Sequence, residues 1–387
     1  MDATSAFATA LAASDVVLVP EGTFKANIVM PPYKHLIGAG RYLSKIIPAA
    51  AGPVITVAEA DNLILQKGGI HSLWVYGDTA DATNDGIYLK DGPGTAAGHI
   101  SGSYDYLMQN LLISNCGRHG LHIEGGDIYQ AQQWSTYDDI ICEYNVGCGM
   151  KLYGFVQNND FRHVHCRYNG SHGMWIDRYL DGADWEYANY NNFTKCEFEA
   201  NGYPSLDVVA HGVLSEGQAN TYVNCWFEGN GPSDSSLVSA GFYCDFNIGA
   251  ESQNTFLGCR FASHKRHAYI NYGDGNYFEA CSFAWNGAQP AIHDADVYVA
   301  HTDGAALVMG HNYTSTPTTH VVYATAADAA YTRWRDGGPA GYSYALRDGI
   351  TAPATVTGLA QIYVDTADGD LKVKYGDGTV KTIVVDT

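Results

Sequence analysis

The sequence predicts an all-β chain, a right-handed parallel β-helix solenoid, on three observations. A short phrase recurs eight times, a second alternating strand follows most copies, and a polar, usually amide, residue separates the two. The phrase reads large apolar, apolar three later, apolar five later, polar eight later. Its copies are Ile70-Leu73-Val75-Asp78, Leu107-Asn110-Leu112-Asn115, Tyr137-Ile140-Cys142-Asn145 and Phe161-Val164-Cys166-Asn169. They continue as Phe193-Cys196-Phe198-Asn201, Tyr222-Cys225-Phe227-Asn230, Phe256-Cys259-Phe261-His264 and Phe278-Cys281-Phe283-Asn286, with Asn110 the one polar residue at the second position. Short strands at such a period, joined by loops of uneven length, describe a stacked-coil solid. The right hand is the one known for coils of this irregular size.

Each element follows from local chemistry. Residues 1–13 are expected to form a capping helix over Thr4 to Ala13, leading into Val16-Val17-Leu18-Val19. This Ala-rich start carries Asp2 and no basic segment, which makes it a poor signal peptide. The second strands open on a small residue and alternate, as in Gly120-Leu121-His122-Ile123, Gly149-Met150-Lys151-Leu152 and Gly173-Met174-Trp175-Ile176. Alternation places the first and third residues after each glycine inside and the second and fourth outside. Between the strands, Asn suits a sharp bend because it tolerates left-handed backbone, and stacked copies bring amide over amide. The β-helix is expected over 14–300, a β-rich stem over 301–350 and a β-hairpin tail over 351–387. An α-solenoid would need apolar residues at helical spacing, which these Gly-, Asn- and Tyr-rich segments lack.

Composition narrows function. Hydrophobic content of 46% suffices for a core, and 43 Gly with 28 Tyr suits a turn-rich β solid. A net charge of −20 argues against a nucleic-acid partner, and no apolar run reaches the length of a membrane span. Nine cysteines include Cys196, Cys225, Cys259 and Cys281 at one recurring inward position, which reads as a packing ladder. No Cys/His spacing resembles a metal site, so neither metal nor cofactor is expected.

The segments Val19-Pro20-Glu21-Gly22-Thr23-Phe24 and His35-Leu36-Ile37-Gly38-Ala39-Gly40 resemble the opening coils of the pectate-lyase-like β-helix superfamily. Near the other end, Gly358-Leu359-Ala360-Gln361-Ile362-Tyr363-Val364-Asp365 and the run Gly369 to Ile383 resemble the closing β-hairpins of phage tail proteins. Together they are similar to bacteriophage tailspikes and capsule depolymerases. That resemblance implies a homotrimer in the virion tail, joined to other tail proteins, which binds and usually cleaves host surface polysaccharide. No attachment head precedes the β-helix, so the link to the virion is expected to lie with another protein or with a removed segment.

Chemistry is expected on the outer face of the second strands. The fourth position after each small residue reads Lys90, Glu124, Tyr153, Asp177, Glu216, Asp245 and Tyr272. The second reads Tyr88, His122, Lys151, Trp175, Leu214, Tyr243 and Ile270. Strands about 4.8 Å apart set adjacent carboxylates roughly 5–6 Å apart and alternate ones near ~10 Å, which brackets both glycosidase geometries. Asp177 and Glu216 are the expected working pair, with Asp245 and Glu124 as alternates. Trp175, Tyr153, Lys151, Tyr243, Arg178, His122 and Trp185 are expected to line the sugar path. A merely solvated acidic face fits the same ladder. The long acidic, aromatic loop from Asp177 to Tyr187 fits either the site or a subunit contact. A first-strand ladder of His165, Glu197, Trp226 and Arg260, with Arg167, Glu199 and Glu228, reads as a salt-bridged face. Endo-hydrolysis leads. The rivals are a lyase using Lys151, Arg178, His122 and Tyr153 against a uronate, and an adhesin that binds without cutting.

Overall fold

In a computed structural model the described residues are 2–57, 64–66, 68–90, 102–126, 131–181, 184–202, 209–231, 239–246, 252–264, 266–273, 275–284 and 295–300. Further segments are 307–309, 312–314, 321–323, 333–334, 361–364, 370–375 and 377–384. The chain divides into two compact units, Met1–Asp336 and Gly337–Thr387.

The first unit is the expected right-handed parallel β-helix. The helix Thr4–Ala13 stands at its start, with Phe7 and Leu11 buried. Two long parallel sheets follow, one of 20 strands that takes two short strands from most coils and one of 11, with a smaller 4-stranded sheet beside them. The parallel ladders run on through Val297↔Val321 and Val308↔Arg333. In the second unit, Gln361–Val364, Leu371–Lys374 and Val380–Val384 form a three-stranded antiparallel sheet.

The recurring phrase has a backbone cause. Left-handed residues punctuate each coil every fifth position: Trp134 (φ 53), Asp139 (φ 52) and Tyr144 (φ 57), then Asn158, His163 and Tyr168, then Tyr190, Lys195 and Ala200. Each one adds an outward residue and resets the alternation, so inward positions fall two, then three, apart. This gives apolar residues at i, i+3 and i+5, with the next inward position at i+8. Bulky residues pay strain in this region, whereas Asn110, Asn224 and Gly258 occupy it more cheaply.

That rule corrects one copy. Met108, not Leu107, pairs with Ile70 and Tyr137, so the inward set is Met108, Leu111, Ile113 and Cys116, all fully buried. Asn110 and Asn115 are the left-handed residues of that coil, and the apparent polar exception was a one-residue slip. Asp78 also leaves the ladder: it is exposed and caps its own turn through the Ala80 N–H at 3.0 Å. Asn286 lies outside the described residues.

The core is a column of rings. Tyr137, Phe161, Phe193, Tyr222, Phe256 and Phe278 stack at 4.5–4.8 Å between centroids. All nine cysteines are free and buried. Amide ladders hold the corners: Asn145, Asn169, Asn201 and Asn230 pass Nδ2–H to Oδ1 at 2.8–2.9 Å, ending on His264 at 3.0 Å. A second amide ladder, Asn159–Asn191–Asn220, was legible but unread as Asn two residues before each ring. The glycine that opens each second strand is there for close approach. A Cβ on Gly173 would lie 2.6 Å from the Gly212 carbonyl, and one on Gly212 would lie 2.5 Å from that of Gly241.

Candidate active site

The residue before each of those glycines forms a third ladder that sets the floor of the site. The His119 N–H donates to Asp85 Oδ1 at 3.0 Å, and the Cys148 N–H to His119 Nδ1 at 3.1 Å. The N–H groups of His211 and Ala240 donate in turn to Nδ1 of His172 and His211, at 3.0 and 3.1 Å. Burial pushes His172 down to about 4 and His119 to about 3, which keeps both rings neutral and able to accept. Recurring His-Gly pairs were the available signal.

Above this floor, the strands Leu121–Gly125, Met150–Gly154, Met174–Asp177, Val213–Ser215 and Ala240–Asp245 stack in register. One outward row runs Tyr88, His122, Lys151, Trp175, Leu214, Tyr243 and Tyr269. The sequence reading had Ile270 at the last place. Ile270 is buried opposite Cys244, because Ala268 pairs with Phe242, one place past the opening glycine; the extra residue Asn271 after it brings Tyr272 back opposite Asp245. The second row brings Glu124, Tyr153 and Asp177 into line. Glu216 follows through its N–H to the Ile176 carbonyl at 2.9 Å.

Asp177 and Glu216 therefore sit on neighbouring strands with different partners. Lys151 Nζ lies 2.9 Å from Asp177 Oδ2 and 4.0 Å from the Trp175 ring centroid. Arg178 Nε lies 2.7 Å from Glu216 Oε2. Burial pushes the Glu216 carboxyl up to about 7; Arg178 pulls it down, while Asp177 and Asp245 push it up again. Asp245 is held by Asn271 Nδ2 at 2.8 Å.

The long loop is an antiparallel hairpin, with Leu180 opposite Trp185. Arg178 stacks on Trp185 at 4.3 Å, and Tyr179 meets Tyr153 edge-on at 5.7 Å, so the hairpin is anchored beside the pair. Tyr243 stacks between His211 at 4.5 Å and Tyr269 at 4.7 Å. Among the described residues, the Trp175 indole N–H, buried next to Lys151, has no hydrogen-bond partner. Such an unmet donor costs free energy unless a ligand oxygen completes it. His122 and Glu124 belong to a separate cluster around Asp85. Glu124 lies three strand spacings from Glu216, roughly 14 Å, too far to share one bond cleavage with it.

The family model for the right-handed β-helix region matches residues 75–261. Among curated proteins none matches this sequence. Among solved structures, the chain resembles the A-module of the Azotobacter vinelandii mannuronan C-5 epimerase AlgE4 (TM-score 0.56, 14% identity, 88% of this chain and 95% of that one). It also resembles the enzymatically active domain of tailspike protein 2 of bacteriophage CBA120 (TM-score 0.59, 11% identity, 99% and 67%). A third is the gp42 tailspike of Acinetobacter phage vb_AbaP_AS12 (TM-score 0.50, 11% identity, 96% and 71%). At these identities the likeness establishes the β-helix fold.

Proposed function

We propose that the chain is a phage tailspike depolymerase that cleaves a bacterial surface polysaccharide by endo-glycosidic hydrolysis, with Glu216 as acid and Asp177 as nucleophile. The observation that carries this is the asymmetric pair: neighbouring carboxyls, one raised to about 7 by burial, the other paired with Lys151. A separation near 5 Å suits the retaining route. Glu216 gives its proton to the glycosidic oxygen as that oxygen leaves C1, and Asp177 bonds to C1. Glu216, now a carboxylate, takes a proton from water, whose oxygen attacks C1 and frees Asp177. Trp175 N–H supplies a donor to a sugar oxygen, and Tyr153, Tyr243 and Trp185 flank the path. The tailspike likeness supports a virion-tail setting, with residues 301–387 holding a homotrimer and other tail proteins as neighbours.

A screen of purified protein against host capsules tests this reading. New reducing ends support hydrolysis, and their loss in Asp177→Asn and Glu216→Gln assigns the pair. Ultraviolet absorbance from an unsaturated product replaces hydrolase with lyase. Binding with neither product leaves an adhesin.

A further inference from the structure

A buried ionic cluster lies on the same face, toward the N-terminal coils. The Asp85 side chain is fully buried and accepts Arg118 Nε at 2.8 Å, Arg118 Nη2 through a short contact, and the His119 N–H at 3.0 Å. His122 Nδ1 stands 3.1 Å from Asp85 Oδ2. Burial opposes ionisation of Asp85, yet the bonds from Arg118 and His122 outweigh it and hold the carboxyl well below the usual range. A solenoid does not need this: at the equivalent place other coils use a neutral His172 or His211. Buried ions are costly compared with such neutral caps.

The cluster fixes three outward groups. His122 Nδ1 lies 3.1 Å from Asp85 Oδ2 and 3.2 Å from Arg118 Nη2, so this side of the ring is held by the cluster. The other ring nitrogen, Nε2, is buried and has no hydrogen-bond partner among the described residues. It faces Glu124 Oε2 at 3.9 Å, too far for a bond. Tyr88 stacks on the His122 ring at 4.7 Å and donates its hydroxyl to Glu124. A rigid imidazole nitrogen and a carboxylate thus converge without bonding each other. A hydroxyl, donor and acceptor in one, is the small group that completes such a pair.

We propose that His122 Nε2 and Glu124, held by Asp85, Arg118 and Tyr88, form a second sugar subsite that binds a hydroxyl of the same glycan several residues from the bond being cut. This rests on the polysaccharide reading above but not on which carboxylates cleave. Asp85 and Arg118 act as positioning residues. Lys151 is next in the outward row after His122, so one chain running along the solenoid axis meets both places.

The test uses the full chain carrying Asp177→Asn, so that binding is read without cutting, on each capsular polysaccharide of the panel. Adding His122→Phe, which keeps a ring against Tyr88, or Glu124→Gln should each weaken affinity about 3–10-fold, the worth of one hydrogen bond. In the otherwise unchanged chain the same two substitutions should raise KM by that factor with a smaller effect on kcat. Unchanged affinity in both variants, with melting temperatures intact, overturns the subsite. A fall in kcat with KM unmoved also overturns it and makes the cluster part of the chemistry. If the Asp177→Asn chain binds and the parent never cuts, hydrolysis fails while the subsite stands or falls on its own affinities. If no polysaccharide binds, both fail.

Discussion

Two outer faces of one solenoid carry stacked carboxylates, and only one has the makings of a site. On the twenty-stranded sheet, Glu197, Glu199 and Glu228 crowd together, and burial with the neighbouring Glu197 pushes Glu199 up. There His165 meets Glu197 at 3.2 Å, Arg167 meets Glu143 at 2.9 Å and the Trp226 indole donates to Glu228 at 2.7 Å. On the eleven-stranded sheet, Asp177 and Asp245 likewise act on Glu216, the Trp175 indole has no acceptor among the described residues, and a hairpin flanks the row. Crowded acids alone do not mark a site. Nor does an unmet buried donor, since among the described residues Arg260 Nε on the first face also lacks a partner; the flanking hairpin and the Glu216 carboxyl raised to about 7 set the second face apart.

The largest expected contrast is between equivalent substitutions on the two faces. Glu216→Gln should lower polysaccharide cleavage about 10²–10⁴-fold, while Glu199→Gln should leave the rate within about twofold, the ordinary scale of a surface change. Equal losses on both faces would erase the distinction. The shared core comes next. Phe193→Ala, in the middle of the ring column, should cost roughly 3–5 kcal/mol in denaturant unfolding, and a cost below ~1 kcal/mol would contradict its burial. Asn201→Ala opens an amide ladder and should cost about 1–3 kcal/mol by leaving buried partners unmet. The smallest effect concerns pH. His172 is depressed to about 4 by burial, so the unfolded chain takes up its proton first. Its contribution is intact above the unfolded value near 6.5 and is lost as pH falls from there toward 4. In His172→Asn the melting temperature should fall less over that window; an unchanged slope would remove His172 from the account.

Much of the fold was legible because inward residues must be apolar and their spacing survives in the sequence, as Phe193-Cys196-Phe198 shows. The slip at Leu107 arose because Met108, Leu111, Leu112 and Ile113 are all apolar, so alternation alone does not choose the register. Asp177, Glu216 and Trp175 were readable as outward residues of consecutive strands. Asp85 was not, since its meaning depends on Arg118 and His122 reaching it from the next coil, and Asp85-Gly86 resembles an ordinary turn. The Ile270 error came from Ala268, a small residue that imitates the opening glycine although it pairs with Phe242, one place further along the strand.

In the proposed pair Glu216 is the acid, with its proton affinity set by burial and by Arg178. The most direct measurement is the pH dependence of reducing-end release by the unmodified chain and by Arg178→Gln. The unmodified rate should fall as pH rises through about 7, as Glu216 loses its proton. Removing the guanidinium that pulls this value down should move the falling limb to higher pH. A limb that stays in place, or a rate that climbs through pH 7, would contradict the assignment.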